Sequence, residues 1–498
     1  MNYKSTRNSN VTVSAAGAIA RGISEEGGLF VPENFPALTA ADITALADKS
    51  YTERAAFILG KFLTDFTDAE VEECVNAAYT EAKFGAHPAP VTTLADGEHI
   101  LELWHGPTCA FKDMALQILP HFMRVSVGKT AKGKEIIILV ATSGDTGKAA
   151  LEGFKDAPHT RILVFYPEKG VSPMQKLQMT TQEGGNVAVC AIRGNFDDAQ
   201  TGVKTIFTDA AVKAKLAEHD MMFSSANSIN WGRLVPQIIY YVSAYCDLLK
   251  EGKIALGDPI NVVVPTGNFG NILAAYYASK MGLPVNKFIC ASNANHVLTD
   301  FIETGVYDRR RDFYTTTSPS MDILISSNLE RLLYDLTDCD DTAVTAMMDA
   351  LKNDGHYTVP AAVLEKLQAR FVGGFSDDEA VARTIRETFE DKGYLLDTHT
   401  AVAVRVYEDY RAKTGDTTPT VIASTANPYK FSASVLSALG ADAENADEFE
   451  KVELLQKVSG VAAPASLLSL REKEVRFPDI CGREEQQAVV YGMLGIED

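Results

Sequence analysis

Leu103-Trp104-His105-Gly106-Pro107-Thr108-Cys109-Ala110-Phe111-Lys112-Asp113 sets one lysine between a Gly-Pro turn and an apolar run, Met114 to Val127, that reads as a helix. Flanked by Ala110 and Phe111, Lys112 is expected to be partly buried. Desolvation lowers a lysine pKa and makes its amine nucleophilic. A neutral amine in a pocket forms Schiff bases with aldehydes, and the aldehyde to look for is pyridoxal 5'-phosphate. That cofactor asks three more things of a chain: a cradle for its phosphate, a partner for its ring nitrogen and a place for a substrate carboxylate.

Working outward, Pro259 to Val264 reads as a short buried strand. It is followed by Pro265-Thr266, by Gly267-Asn268-Phe269-Gly270-Asn271, and by a strong helix former from Ile272 to Lys280. Strand, glycine-rich turn and helix start together present free N–H groups and the positive end of a helix dipole to an anion. The spacing is not that of a nucleoside triphosphate P-loop. A second such place follows the strand Glu135 to Thr142: Ser143, Gly144, Asp145, Thr146 and Gly147 precede a helix from Lys148 to Phe154. Its donors suit a substrate carboxylate, although Ser143, Asp145 and Thr146 are equally good helix caps. A third strand, Thr418 to Ala423, leads to Ser424 and Thr425, either of which offers a hydroxyl to a pyridine nitrogen. A hydroxyl there keeps the ring less electron-withdrawing than a carboxylate partner would.

Composition narrows the class. The chain has 498 residues, 46% hydrophobic and 22% charged, which suits a globular enzyme of two or three domains. With 46 basic and 66 acidic residues the net charge is −20, so neither nucleic acid nor an anionic membrane is an expected partner. Seven cysteines without a CxxC pair suggest reduced thiols in a cytoplasmic protein. Cys109 reads as a small buried hydrophobe rather than a nucleophile. The nine histidines show no metal-ligand spacing. There is neither a signal pattern at the N-terminus nor an apolar run near the roughly 20 residues that span a bilayer.

Along the chain, residues 1–90 read as a mostly helical domain ending at His87-Pro88-Ala89-Pro90. Strands then alternate with helices through a catalytic α/β core, 91–440, which implies parallel sheets with ligands at strand C-terminal ends. Residues 330–390 are acidic and helical, as an insertion or lid would be. Residues 441–498 read as a C-terminal helical extension.

With those residues in place, the chain resembles threonine synthase, a family of fold-type II (tryptophan synthase β-like) pyridoxal phosphate enzymes. Tyr3-Lys4-Ser5-Thr6-Arg7 and Glu26 to Glu33 are similar to the family's N-terminal signature, and His105 to Asp113 to its Schiff-base segment. Ser143 to Gly147, Asn227 to Trp231 with Arg233, Gly267 to Asn271, and Thr425-Ala426 with Pro428 and Lys430-Phe431 continue the series nearly end to end. The resemblance implies two parallel-sheet α/β domains with the cofactor in the cleft between them. It makes Lys112 the cofactor-bearing residue, Gly267, Asn268, Phe269, Gly270 and Asn271 the phosphate loop, and Thr425 the partner of the ring nitrogen. The implied reaction turns O-phospho-L-homoserine and water into L-threonine and phosphate, in a monomer or homodimer. Arg233 is the first candidate for the substrate phosphate, with Ser228 and Asn230 beside it and Lys148 and Lys430 behind. Asn427 and Tyr429 depart from the family and are given no role. Asp145 stands where more distant fold-type II enzymes carry an Asn against the ring hydroxyl, and an aspartate there needs a shared proton. The alternatives are a dehydratase or β-replacement enzyme of the same fold, or an inactive relative with a binding role.

Overall fold

A computed structural model describes residues 1–142, 144–169 and 171–496. Its larger sheet runs Phe371–Phe375, Val285–Ser292, Ile260–Pro265, Thr420–Ser424, Glu98–Glu102, Val91–Ala95. Neighbours are parallel except the last two, which form an antiparallel pair. The smaller sheet, Ile480–Cys481, Val187–Ile192, Thr160–Pro167, Glu135–Ala141, Met221–Ser224, is parallel throughout. Every residue of Ile260–Pro265 and Thr420–Ser424 is buried, because helices cover both faces of a parallel sheet. On one face of the larger sheet Val262 and Val264 join a core with helix Gly270–Met281. On the other, Val263 and Ile422 pack with helix Thr398–Thr414. The fold is thus the expected α/β arrangement of two parallel-sheet units, and strand bounds agree with the sequence reading to within about two residues.

Three readings need correction. The helix expected over 114–127 is two, Asp113–Leu116 and Leu119–Thr130, because Pro120 in the first turn of the second has no N–H to continue the first. Residues 1–90 are mostly helical, as expected, and add a small sheet in which Tyr3–Ser5 pairs antiparallel with both Asn8–Val13 and Phe30–Pro32. Residues 330–390 are no separable lid. Phe371–Phe375 is an edge strand of the larger sheet, paired with Val285–Ser292; its Gly373-Gly374 weakens the strand signal, yet an added Cβ at Gly373 would lie 2.8 Å from Thr299 Cα. The C-terminal extension likewise contributes Ile480–Cys481 to the edge of the smaller sheet. Among the described residues no helix is long and apolar enough to cross a membrane.

Two contacts bring the parts of the site together. Arg331, fully buried, donates to Phe30 O (3.0 Å), Ser228 O (3.0 Å), Ile229 O (2.7 Å) and Asn328 Oδ1 (2.6 Å). One side chain thereby joins the N-terminal sheet to the segments behind Gly267–Asn271. The second contact is at Gly153, in helix Asp145–Phe154, which lies against the carbonyl of Leu116: a Cβ there would sit 2.1 Å from Leu116 O. This close approach holds the helix that begins at Asp145 beside the helix that follows Lys112. Gly153→Ala is therefore expected to destabilise the fold by about 1–3 kcal/mol through overpacking, read as a lowered midpoint in urea unfolding. An unchanged midpoint would show that the two helices separate without cost.

Candidate active site

Lys112 is the first residue past the strand Glu98–Glu102 and its turn to be held on two sides. Phe111 N donates to Thr425 O (2.8 Å) and Asn427 N to Cys109 O (3.0 Å), with a bridge between Ala110 and Ala426. On the other side Asp113 takes Thr108 N (2.8 Å) and Thr108 Oγ1 (2.7 Å), closing the turn. Lys112 Nζ donates to Ser320 Oγ at 3.3 Å and lies 3.8 Å from Asp145 Oδ2. Burial, opposed by Asp145 and reinforced by Lys430 and Arg233, lowers its pKa to about 8. Burial also raises Asp113 to about 6, against the hydrogen bonds from Thr108.

Asp145 accepts hydrogen bonds from Gln175 Nε2 (2.9 Å), Ser320 Oγ (3.2 Å) and Lys430 Nζ. Lys430 is itself fully buried and donates to Thr108 O at 3.1 Å. Burial pushes the Asp145 carboxyl up, but the ammonium groups of Lys430 and Lys112 overcome it and hold the carboxylate well below the usual range. The shared proton expected for an aspartate at this position is thus not needed for charge balance; Lys430 supplies the countercharge. In the same loop the N–H groups of Gly144 and Gly147 go to Thr142 Oγ1 (3.0 and 2.9 Å). Those of Asp145 and Thr146 have no acceptor among the described residues, and Ser143 lies outside those residues.

The turn after Ile260–Pro265 meets the expectation of an anion cradle. The N–H groups of Gly267, Asn268, Phe269, Gly270 and Asn271 have no acceptor among the described residues, ahead of helix Gly270–Met281. Phe269 takes a left-handed conformation, φ 62°, with its ring buried near that of Phe371, so it serves the loop through its backbone. The carbonyls face the other way: Gly267 O accepts from Ser326 Oγ (2.8 Å), and Asn268 O from Asn328 N (3.1 Å) and Nδ2 (2.9 Å). Tyr241 OH donates to Asn271 Oδ1, which leaves the buried Asn271 Nδ2 without a partner. Such a set of unsatisfied donors fits a phosphate, and with the Lys112 amine it fits pyridoxal phosphate. Of the two hydroxyls weighed for the ring nitrogen, that of Thr425 makes no hydrogen bond among the described residues. Ser424 Oγ is committed to Trp104 Nε1 (3.0 Å) and Thr400 Oγ1 (3.1 Å), whereas Thr425 follows directly, beside Phe111.

The expected substrate residues divide. Arg233 is buried; among the described residues it donates once, to Ala226 O at 2.8 Å, and its Nε has no partner. Burial lowers its pKa to about 10. Ser228 accepts from Asn328 Nδ2 (2.7 Å), and its Cβ lies 3.1 Å from where a Cβ on Gly270 would be, which puts it behind the phosphate loop. Two expectations do not hold. Lys148 is paired with Glu152 (3.0 Å) and bonded to Gln182 (2.5 Å), since an i,i+4 carboxylate on its own helix is the nearest countercharge. Asn230 is fully buried, donates to Ile19 O and Ser225 O, and caps Gly232 N. Cys109 is buried, and its thiol is pushed up to about 11, in keeping with a packing role.

Several residues of the site carry no local signal. Ser320 comes from the turn Pro319–Met321, and its N–H donates to His399 Nε2 (3.2 Å). His399 Nδ1 meets Asp397 Oδ1 (3.0 Å) at the start of helix Thr398–Thr414. In the sequence, Asp397-Thr398-His399-Thr400 shows only a helix cap.

Comparison with known proteins agrees with this geometry. Residues 2–79 match the family model for the threonine synthase N terminus, 99–425 that for pyridoxal-phosphate dependent enzymes, and 400–487 that for the threonine synthase C-terminal region. Threonine synthase-like 1 of Homo sapiens is 43% identical over 85% of this chain, which spans 57% of that protein's length. Threonine synthase of Pseudomonas aeruginosa is 37% identical over 91% of this chain and 94% of that one. The crystal structure of pyridoxal-phosphate-bound threonine synthase from Brucella melitensis superposes with a TM-score of 0.88 at 36% identity, covering all of both chains. Lys112, the Gly267–Asn271 cradle and this agreement across all three regions lead to one conclusion: the chain belongs to the threonine synthase family of pyridoxal-phosphate-dependent enzymes.

Proposed function

We propose that the protein converts O-phospho-L-homoserine and water into L-threonine and phosphate. Arg233 is the observation that carries this reading. It is a buried guanidinium with no carboxylate at ion-pair distance among the described residues, yet near enough to Lys112 to depress its pKa. A buried cation without a countercharge is costly, and a guanidinium fork matches a phosphate. In a chain of net charge −20, a doubly charged substrate requires such a local excess of cations. A dehydratase or β-replacement enzyme would leave Arg233 without an anion.

When bound, pyridoxal phosphate acidifies the substrate's Cα–H and Cβ–H bonds by withdrawing electrons into its ring. The chain supplies the rest. Lys112 Nζ, held at low proton affinity, takes the proton from Cα and later returns one. The N–H groups of Asp145 and Thr146, at a helix start and without an acceptor among the described residues, receive the substrate carboxylate. Lys112 Nζ also takes the second proton, from Cβ, Arg233 stabilises the charge that gathers on phosphate as it departs from Cγ, and the proton is passed on to Cγ to make the methyl group. Addition of water at Cβ completes the conversion. The deciding assay follows inorganic phosphate and threonine from O-phospho-L-homoserine. Ammonia release from threonine or serine without phosphate release would overturn the assignment in favour of a dehydratase.

Capture of the cofactor depends on neutral Lys112. With its pKa lowered to about 8, about one amine in ten is neutral at pH 7, against about one in several thousand for an ordinary lysine. The rate at which cofactor-free protein gains visible absorbance should therefore rise about tenfold per pH unit up to about 8 and then level off. Lys112→Ala should give a protein in which borohydride fixes no cofactor; a fixed adduct elsewhere would refute the tether. Arg233→Ala should retain the cofactor and lose about 100-fold in kcat/KM for the phosphorylated substrate, with part of the loss recovered in Arg233→Lys. Equal rates in wild type and Arg233→Ala would remove Arg233 from phosphate binding.

A further inference from the structure

The groups around Lys112 include one that neither the expected cradle nor the expected carboxylate loop uses. Ser320 Oγ stands between the Lys112 amine (3.3 Å) and Asp145 Oδ2 (3.2 Å). At 3.8 Å, Lys112 and Asp145 are too far apart for a direct hydrogen bond of good geometry, so the hydroxyl completes the link. A hydroxyl can do this in both protonation states of the amine. An ammonium donates and a carboxylate accepts, whereas a hydroxyl does either.

The turn that carries Ser320 is braced from two sides. Asp322 accepts from Thr316 N (3.0 Å), Thr316 Oγ1 (2.7 Å), Asn293 Nδ2 (2.8 Å) and Asn295 Nδ2 (3.1 Å), which closes residues 316–322 on one carboxylate. From the opposite side His399 Nε2 accepts the Ser320 N–H. Because that nitrogen accepts, the proton of a neutral His399 is on Nδ1, facing Asp397 Oδ1. Asp397 is itself held by Thr400 N and Thr400 Oγ1, and both Asp397 and His399 are buried. Aspartate, histidine and serine thus stand in a row without forming a hydrolase triad. The histidine contacts the backbone of Ser320, and the hydroxyl is turned to the lysine. Ser320 O, in turn, lies 2.6 Å from where a Cβ on Gly267 would be, so the same turn touches the phosphate loop.

We infer that Ser320 is a positioning residue for Lys112, aiming its amine and setting its readiness to exchange protons, with His399 and Asp397 as the brace that fixes Ser320. This rests on the reading of Lys112 as the cofactor-bearing base. The charged groups that face Lys112 are Asp145 from its helix start, Lys430 from the turn Pro428–Phe431, Arg233 from Trp231–Leu234, and its neighbour Asp113. Of all these, Ser320 Oγ alone is within hydrogen-bond distance of Nζ among the described residues. Removing it leaves a largely buried ammonium with no acceptor at hydrogen-bond distance among the described residues, which favours the neutral amine.

The test reads Lys112 itself, in the full-length chain without cofactor. Trace acetic anhydride is applied from about pH 6 to about pH 10, and acetylation at Lys112 is quantified by mass spectrometry against an exposed lysine. The wild-type midpoint is expected near 8. Ser320→Ala should lower it by at least about half a unit, about threefold in neutral amine at pH 7, and Ser320→Thr should restore it. In the holoenzyme, Ser320→Ala should lower kcat at least about tenfold with KM changed less than about threefold. His399→Leu should repeat the shift in midpoint, and His399→Gln, which keeps an acceptor, should reverse it. A midpoint that stays or rises in Ser320→Ala overturns the inference, as does failure of the threonine variant to restore it. Should Ser320→Ala not fold, as judged by its melting curve, the His399 pair decides by the same criterion. A shift seen in a protein whose wild type captures no pyridoxal phosphate would instead defeat the reading of Lys112 and leave the hydrogen bond standing.

Discussion

Lys430 and Asp145 form a buried ion pair, and the chemistry of Lys112 depends on it. A lone carboxylate beside Lys112 would draw the amine into a tight pair and keep it as ammonium, which is of no use to a base. Lys430 takes one Asp145 oxygen, Gln175 shares it, and Ser320 takes the other. Lys112 is left at 3.8 Å, near enough to be oriented and too far to be neutralised. Burial then dominates its proton affinity, with the charges of Lys430 and Arg233 acting in the same direction. Breaking such a pair by removing one member usually costs several kcal/mol, because the survivor is left buried and uncompensated. Lys430 is therefore as necessary to the state of Lys112 as any group that touches it.

This arrangement needs five separate stretches of chain to end at one place, and parallel sheets provide it. Three strands of the larger sheet, Glu98–Glu102, Ile260–Pro265 and Thr420–Ser424, lead at their C-terminal ends to Lys112, to the phosphate loop and to Thr425. Glu135–Ala141 of the smaller sheet leads to Asp145. Ligand sites gather at such ends because helix starts and free N–H groups do. The fifth stretch, Ser318 to Asp322, belongs to no strand. It reaches the site through side-chain bonds from Asn293, Asn295 and His399, which is why its presence there depends on residues from both flanking elements.

What could be read from the sequence follows from the same distinction. Lys112, Gly267–Asn271 and Thr425 were legible because a strand, a turn and a helix start announce themselves within ten residues. A lysine in such a setting together with a glycine cradle is enough to point to pyridoxal phosphate. Lys148 and Asn230 misled because their residue types suit a phosphate pocket, whereas local partners, Glu152 four residues on and the carbonyls around Ser225, had first claim on them. Ser320 and His399 were silent because what matters about each is a partner far away in sequence: Lys112 for Ser320, Ser320 for His399. The strand Phe371–Phe375 was missed for a third reason, since its two glycines lower β propensity in return for close packing on Thr299 and Val406.

The two phosphates of the proposed reaction explain why the site treats anions in two ways. The cofactor's phosphate stays, and the Gly267–Asn271 loop offers it neutral donors only: backbone N–H groups and the amide of Asn271 oriented by Tyr241. The buried Arg331, bonded to Asn328 behind the loop, is turned toward the carbonyls of Phe30, Ser228 and Ile229. Fixed dipoles are sufficient for a permanent ligand, because their orientation was set when the chain folded. The substrate's phosphate must bind, gather charge as its bond to carbon breaks, and then go. A full charge responds to that change more strongly than a dipole does, and Arg233 has been left without a carboxylate to answer it. Had the two been exchanged, a guanidinium at the cradle and bare N–H groups at the leaving phosphate, the cofactor would gain affinity it does not require and the departing group would lose the stabilisation it does.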